Sequence, residues 1–164
     1  MTPLTVRPAA PADLPALSEI YRAARAFMAA SGNPTQWGTT DPRPELLRRD
    51  IANGQLYVLC DGDTPRAAFA LVPGDDPTYA AIDGAWLSDA PYATIHRLGS
   101  DGTCHGVFAT ALAFAAARQP HLRIDTHADN HLMQKLIARA GFRCCGIIRV
   151  ADGSPRLAYE RLPG

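Results

Sequence analysis

Lysine is nearly missing from this chain. Lys135 is the only one in 164 residues; every other member of the sixteen basic side chains is an arginine, and sixteen acidic residues balance them. There is no run of Lys or Arg, and the formal charge is zero, so the basic face that a duplex-binding protein presents is absent and no nucleic-acid partner is expected. An arginine-rich basic set suits carboxylate or phosphate recognition, but a compositional habit of the source explains it more cheaply. No CxxC pair points to zinc or redox chemistry. The four cysteines are Cys60, Cys104 and the adjacent Cys144 and Cys145, a pair that would rarely bridge. Free thiols in a reducing compartment are the expectation. The opening "MTPLTVRPAAPADLP" lacks the charged-then-apolar order of a signal peptide. No apolar run approaches the roughly 18 residues of a membrane helix. These absences predict a cytoplasmic protein with no membrane partner.

There is also no internal repeat, no linker and no polar low-complexity tract. With 47% hydrophobic and 20% charged residues, the chain is expected to form one domain, residues 1–164, with a sizeable core. Leu4 to Arg7 form a short strand candidate. In "PADLPALSEIYRAARAFMAASG" the positions Leu14, Leu17, Ile20, Tyr21, Ala24, Phe27 and Met28 recur at helical spacing between a Pro-Ala-Asp start and Gly32. The Pro-, Gly- and Asn-containing "NPTQWGTTDPRP" reads as a loop, and "ELLRRDIANG" as a second helix. "QLYVLCDGDTPRAAFALV" is a hairpin about Asp61-Gly62-Asp63. "AIDGAWL" opens a weak strand, interrupted by Gly84, and "PYATIHRLGSD" a clear one. A helix with Val107, Phe108, Ala111, Leu112 and Ala115 on one stripe follows, then the strand "HLRIDTH" and a helix from about Asn130 to Ala140, stopped by Gly141. "FRCCGIIRV" and "PRLAYERL" close the chain as a hairpin around Asp152-Gly153. The order predicts a mixed α/β domain.

The strand-to-helix turn "SDGTCHGVF" decides the functional reading. A glycine-rich turn that opens a helix presents free backbone N–H groups beside the positive helix end, which suits a pyrophosphate. It is not a Walker loop, since no Gly-Lys-Ser/Thr follows. Gly102 and Gly106 do not give GxGxxG spacing either. After the next strand comes "ADNHLMQKLIARAGF", and here Asn130, Met133, Leu136, Gly141 and Phe142 match Asn-x-x-Ala-x-x-Leu-Tyr-x-x-x-Gly-Phe at its spacing. With Gly106 at the first glycine of Gln/Arg-x-x-Gly-x-Gly/Ala, and with the element order of nearly the whole chain, the sequence resembles the GNAT superfamily of N-acetyltransferases.

The resemblance implies a twisted mixed sheet flanked by helices and an acetyl-CoA donor. It implies that backbone at Leu98 pairs with the pantetheine arm. The N–H groups of Thr103, Cys104, His105, Gly106, Val107, Phe108 and Ala109 would hold the pyrophosphate, and Asn130 would sit beside the cofactor. An amine of a small molecule or peptide would attack the thioester directly, with a strand N–H stabilising the oxyanion. The chain departs from the pattern at Thr103, where Gln or Arg is preferred, and at Phe108, where Gly or Ala is. Phe108 either crowds the pyrophosphate or turns into the core. Ile137 replaces the tyrosine that protonates the leaving thiolate.

An attacking amine needs a base that titrates near neutrality. His96, in the strand before the turn, is one candidate, and the alternative is a packed, hydrogen-bonded histidine. Asp125 and His127 alternate onto one strand face, where an Asp can orient a His or raise its pKa; a structural pair is the alternative. His127, Asp129 and His131 are metal-ligating types, but the run crosses a strand-helix junction, so convergence is not expected and no metal is assigned. Cys104 at a helix N-terminus is a candidate reactive thiol or a neutral packing residue. Tyr21, Arg25, Gln36, Trp37, Tyr79 and Trp86 fall where the resembled fold builds its acceptor pocket, with Phe27 read as core. Trp37, in a loop, is expected at a substrate wall or a dimer contact. Ile147, Ile148 and Val150 could pair across a homodimer, and a buried sheet face explains them equally. Two rivals to the enzyme remain: a catalytically degenerate acyl-CoA-binding module, and an α/β protein whose turn is purely structural.

Overall fold

The computed structural model describes residues 3–164, and proline and glycine set most of its element boundaries. After β1 (Thr5–Pro8), a single tight turn at Pro11–Asp13 launches α1 (Leu14–Ala30). Asp13 does not cap its own helix. It turns back to accept the Ala10 N–H at 2.7 Å and grips the Arg7 guanidinium through two hydrogen bonds of 2.8 Å. Gly32 (φ +86°) ends α1, because the left-handed conformation it adopts breaks the helical path at no steric cost. Then come α2 (Pro44–Ala52), β2 (Leu56–Asp61), β3 (Thr64–Pro73), the two-residue β4 (Asp83–Gly84), β5 (Ala93–Ser100) and α3 (Val107–Arg118). The chain finishes with β6 (Leu122–Thr126), α4 (His131–Arg139), β7 (Arg143–Arg149) and β8 (Pro155–Arg161). No helix among the described residues is long and apolar enough to cross a membrane.

The strands form one mixed eight-stranded sheet in the order β1-β2-β3-β5-β6-β8-β7-β4. β5 and β6 run parallel, paired at Ala93↔Leu122 and Thr94↔Arg123. β1/β2, β2/β3, β6/β8, β7/β8 and β4/β7 are antiparallel. This is the expected mixed α/β architecture, and four α-helices accompany the sheet.

Two compact units divide the chain: residues 3–71 with His96–Phe114, and Val72–Ile95 with Ala115–Gly164. In the first unit, α1 turns Leu17, Ile20, Tyr21 and Ala24 inward, as their spacing predicts. Phe27 breaks that pattern. At 57% exposure it stands on the surface, because the helix's last turn runs past the apolar stripe it was read with. Ala67 to Leu71 of β3 are buried without alternation, the signature of a strand covered on both faces. Phe69 and Tyr57 pack around the Phe114 ring.

In the second unit, Tyr79, Tyr92, Ile148 and Ala158 form a core with Ile82, Trp86 and Val150 against it. Ile148 is therefore a core residue, while Ile147 lies partly exposed. The weak strand expected at "AIDGAWL" shrinks to Asp83 and Gly84, set opposite Ile147 and Gly146.

Candidate functional site

Within the first unit, β5 delivers the chain to the glycine turn. Its end is tied by the Asp101 N–H donating to the Arg66 carbonyl at 2.9 Å. Asp101 then organises the turn, its Oδ1 accepting from the Thr103 N–H at 3.0 Å and the Thr103 hydroxyl at 2.6 Å. Ser100 Oγ accepts the Gly102 N–H at 3.0 Å. The Asp101 charge faces Arg66, whose Nη1 lies 3.4 Å from Oδ2. Gly102 (φ +82°) and Gly106 (φ +76°) take left-handed conformations, and a Cβ on either would project into open space. The Thr110 N–H closes the first helical bond onto the Gly106 carbonyl at 2.9 Å, so the amides of Val107, Phe108 and Ala109 belong to the first turn, whose N–H groups lack intrahelical acceptors. No acidic residue occupies that turn. Thr103, His105, Gly106 and Ala109 are exposed, and Cys104 and Val107 partly so. The Phe108 side chain is buried, so of the two conformations open to it the inward one is adopted, and its bulk is withdrawn from the turn. The Thr103 N–H is committed to Asp101, and the exposed amides that follow it, at a positive helix end, suit a pyrophosphate.

His96 and Leu98 are both half-buried on β5. Between them Arg97 has φ +54°, a left-handed residue inside a strand. Its carbonyl accepts the Tyr21 hydroxyl at 2.7 Å, and its Nε and Nη2 both reach Asp50 Oδ2 at 2.8 Å. Tyr21, singled out as a wall residue, is thus committed to the strand; burial pushes its hydroxyl pKa well up, with Arg97 opposing and Asp50 adding. Trp37 meets Tyr21 edge-on with ring centroids 5.5 Å apart. It also lies against Gly99, where a Cβ would come within 3.3 Å of the indole and 3.0 Å of the Tyr21 ring. Trp37 remains half-buried in its loop, and Arg25 steadies the same loop by donating to the Asp41 carbonyl at 3.1 Å.

The other candidates lie in the second unit. Tyr79 is buried and its hydroxyl donates to Asp125 Oδ2 at 2.6 Å; burial, then the Asp125 charge and hydrogen bond, raise its pKa well above the phenol value. Trp86 donates its indole N–H to the Tyr79 carbonyl at 3.0 Å and stacks obliquely on that ring. Asp125 and His127 were read as one face of a strand, but β6 ends at Thr126 and His127 already belongs to the following turn. There His127 Nδ1 accepts the Asp129 N–H at 3.0 Å, with the Asp129 carboxylate 3.6 Å away. Asn130 caps α4, its Oδ1 accepting the Met133 N–H at 3.1 Å. Ile137 is fully buried. No group of three or more His, Cys, Asp or Glu is arranged to hold a metal among the described residues.

Sequence reasoning missed Asp50 and Arg97. They are 47 positions apart, and nothing in either local pattern marks a partner. The Tyr79–Asp125 pairing was also missed, although each residue had been singled out separately.

A mixed eight-stranded sheet with a parallel β5/β6 pair, and a glycine turn opening α3 from β5, defines an acyl-CoA N-acyltransferase fold. No protein-family profile matches the sequence, and no curated protein matches it either. Solved structures do. A GNAT-family acetyltransferase from Streptococcus agalactiae 2603 is 28% identical over 98% of this chain and 96% of its own, with a TM-score of 0.85. A GNAT-family acetyltransferase from Listeria monocytogenes 4b F2365 is 18% identical over 98% of both chains, TM-score 0.71. A GNAT-superfamily phosphinothricin acetyltransferase from Sinorhizobium meliloti, in complex with AcCoA, is 17% identical over 100% of this chain and 90% of its own, TM-score 0.67. The first of these likenesses supports a GNAT-superfamily assignment for the chain, and the other two show the shared fold.

Proposed function

We propose that residues 1–164 act as one acetyl-CoA-dependent N-acetyltransferase domain of the cytoplasm, moving an acetyl group to the amine of a small molecule or peptide. The observation that carries this reading is the exposed turn at Thr103–Gly106 running into α3, whose first turn holds no acidic residue, with Phe108 folded inward. Its occurrence in a fold shared with acetyltransferases, one of them bound to AcCoA, adds weight. In this reading acetyl-CoA supplies an activated thioester. The amides from Cys104 to Ala109 bind its pyrophosphate, with Thr103 held in the turn by Asp101, and the β5 backbone around Leu98 receives its pantetheine arm. His96 accepts the proton of the attacking amine, while Trp37 and Arg25 shape the acceptor wall. Tyr79, whose carbonyl accepts the Trp86 indole N–H, donates its hydroxyl to Asp125, which with His127 is the second candidate for proton handling. Asn130 orders the start of α4 by accepting the Met133 N–H.

Calorimetric titration with acetyl-CoA, using CoA and ATP for comparison, tests the reading directly. Micromolar binding of the CoA species with ATP silent is the expected result; failure of every CoA species to bind refutes it. Gly106→Glu should abolish that binding. Open space surrounds Gly106, so the variant stays folded and loses about 1 kcal/mol to its left-handed φ. A second reading is favoured by one observation, the buried Ile137 in the place of the usual tyrosine acid. It makes the protein an acyl-CoA-binding module without turnover, and acetylation of any amine excludes it.

A further inference from the structure

Arg97 is the only non-glycine residue with positive φ among those described. A Cβ disfavours that conformation, and such a residue persists only where its surroundings over-determine it, most often at a working site. A positive φ at Arg97 departs from regular strand geometry, so the backbone around it is directed differently from that of an unbroken strand. The enforcing groups come from three different places. Tyr21 of α1, 1% exposed, donates its hydroxyl to the Arg97 carbonyl. Asp50 of α2, 2% exposed, takes both Nε and Nη2 of the guanidinium. Trp37 and the Tyr21 ring close over Gly99, two residues on, where no side chain could fit without displacing them.

Stability alone does not account for this arrangement. A glycine at 97 would adopt the same backbone without strain, and a buried ion pair is weak evidence of net stabilisation. The cost is spent on a fixed backbone direction immediately before the glycine turn.

We propose that Tyr21 and Asp50 are positioning residues that hold the β5 backbone between His96 and Leu98 in the direction required to engage the acetyl group of acetyl-CoA. This rests on the acetyltransferase reading. Neither residue touches the ligand; both act through Arg97.

The test compares dissociation constants for acetyl-CoA and CoA in the wild type, Tyr21→Phe and Asp50→Asn, with thermal melts of each. The ratio of the two constants isolates the acetyl group, because everything else in the ligands is shared. The wild type should prefer acetyl-CoA, and each variant should lose about threefold or more of that preference while CoA affinity holds, a fraction of what one net hydrogen bond is worth. Should Asp50→Asn not fold, Tyr21→Phe, which removes a single oxygen, carries the test. An unchanged ratio in folded variants overturns the proposal, as does a parallel loss of both affinities, which marks a merely structural role. Equal affinity of the wild type for both ligands overturns it while leaving CoA binding intact. A wild type that binds neither ligand overturns the acetyltransferase reading as well, so the two failures are distinguishable.

Discussion

Glu160 is committed on both carboxylate oxygens. Fully buried on β8, it accepts on Oε2 from Arg123 Nε at 2.8 Å and from His121 Nε2 at 2.7 Å, and on Oε1 from the Leu87 N–H at 2.5 Å. Arg123 in turn lies between the Trp86 and Tyr92 rings, 3.9 and 4.0 Å from their centroids, and donates to the Ser88 carbonyl. Burial pushes the Glu160 carboxyl up, but the bonds from Arg123, His121 and Leu87 outweigh it and hold the group below its usual range. Glu160→Gln would leave Arg123 buried without its counter-charge. A loss of about 3–5 kcal/mol in urea unfolding at neutral pH is expected. None of this could be read from the sequence, since Glu160 meets Arg123 and His121 across 37 and 39 positions. Contacts of that separation carry no local periodicity. The residues legible in advance were those fixed by a motif's spacing, such as Gly106 and Asn130. Phe108 was legible only as a choice between two conformations, and packing made the choice.

At the scale of elements, the turn and period signals worked where an element's boundaries are set by residues in it or directly beside it. Gly62 turns the β2–β3 hairpin and Gly141 stops α4, both at positive φ. What the sequence could not convey was why Gly84 interrupts its strand. Gly84 and Gly146 face each other where β4 crosses β7, and a Cβ on either would run into the main chain of the other strand at Cys145 or Asp83. Their φ values of +137° and +147° also lie in a region that side chains rarely enter. The interruption is the condition for pairing rather than a weakness in it. Gly146→Ala combines a forbidden φ with a main-chain clash, so it should cost more than the ~1–3 kcal/mol of strained backbone alone. A thermal melt checks this, and the segment from Val72 to Tyr92 should show faster amide exchange in the variant. Gly153→Ala, at φ +85° with open surroundings, tests positive-φ strain without a clash and should lose only about 1 kcal/mol.

For the whole molecule, stability is bounded on both sides of neutrality by groups of opposite behaviour. Asp13, gripped by Arg7, and Glu160 have carboxyl pKa values below their ordinary ones. Their stabilisation is present above the unfolded carboxylate range and is lost as pH falls through the folded values. Glu19 and Asp152 are lowered too, but they are fully exposed and contribute little. On the alkaline side the signs reverse. Tyr21 and Tyr79 are raised first by burial, and in Tyr79 further by Asp125. Burial likewise raises the Cys60 and Cys145 thiols. A raised pKa means stability that is complete below the unfolded value and lost as pH climbs past it toward the folded one. A plateau from about pH 5 to 8 is therefore expected, with an alkaline limb beginning where free thiols and then free phenols ionise. During alkaline titration, the tyrosinate absorbance of Tyr21 and Tyr79 should appear only together with loss of native circular dichroism. Tyr79→Phe removes a group that must stay protonated in the folded chain, so its unfolding free energy should fall less steeply above pH 10 than that of the wild type. It also leaves Asp125 without its hydroxyl donor, which lowers stability at neutral pH. The two curves should converge as pH rises; parallel curves would show that Tyr79 ionises in the native protein as readily as in the unfolded one.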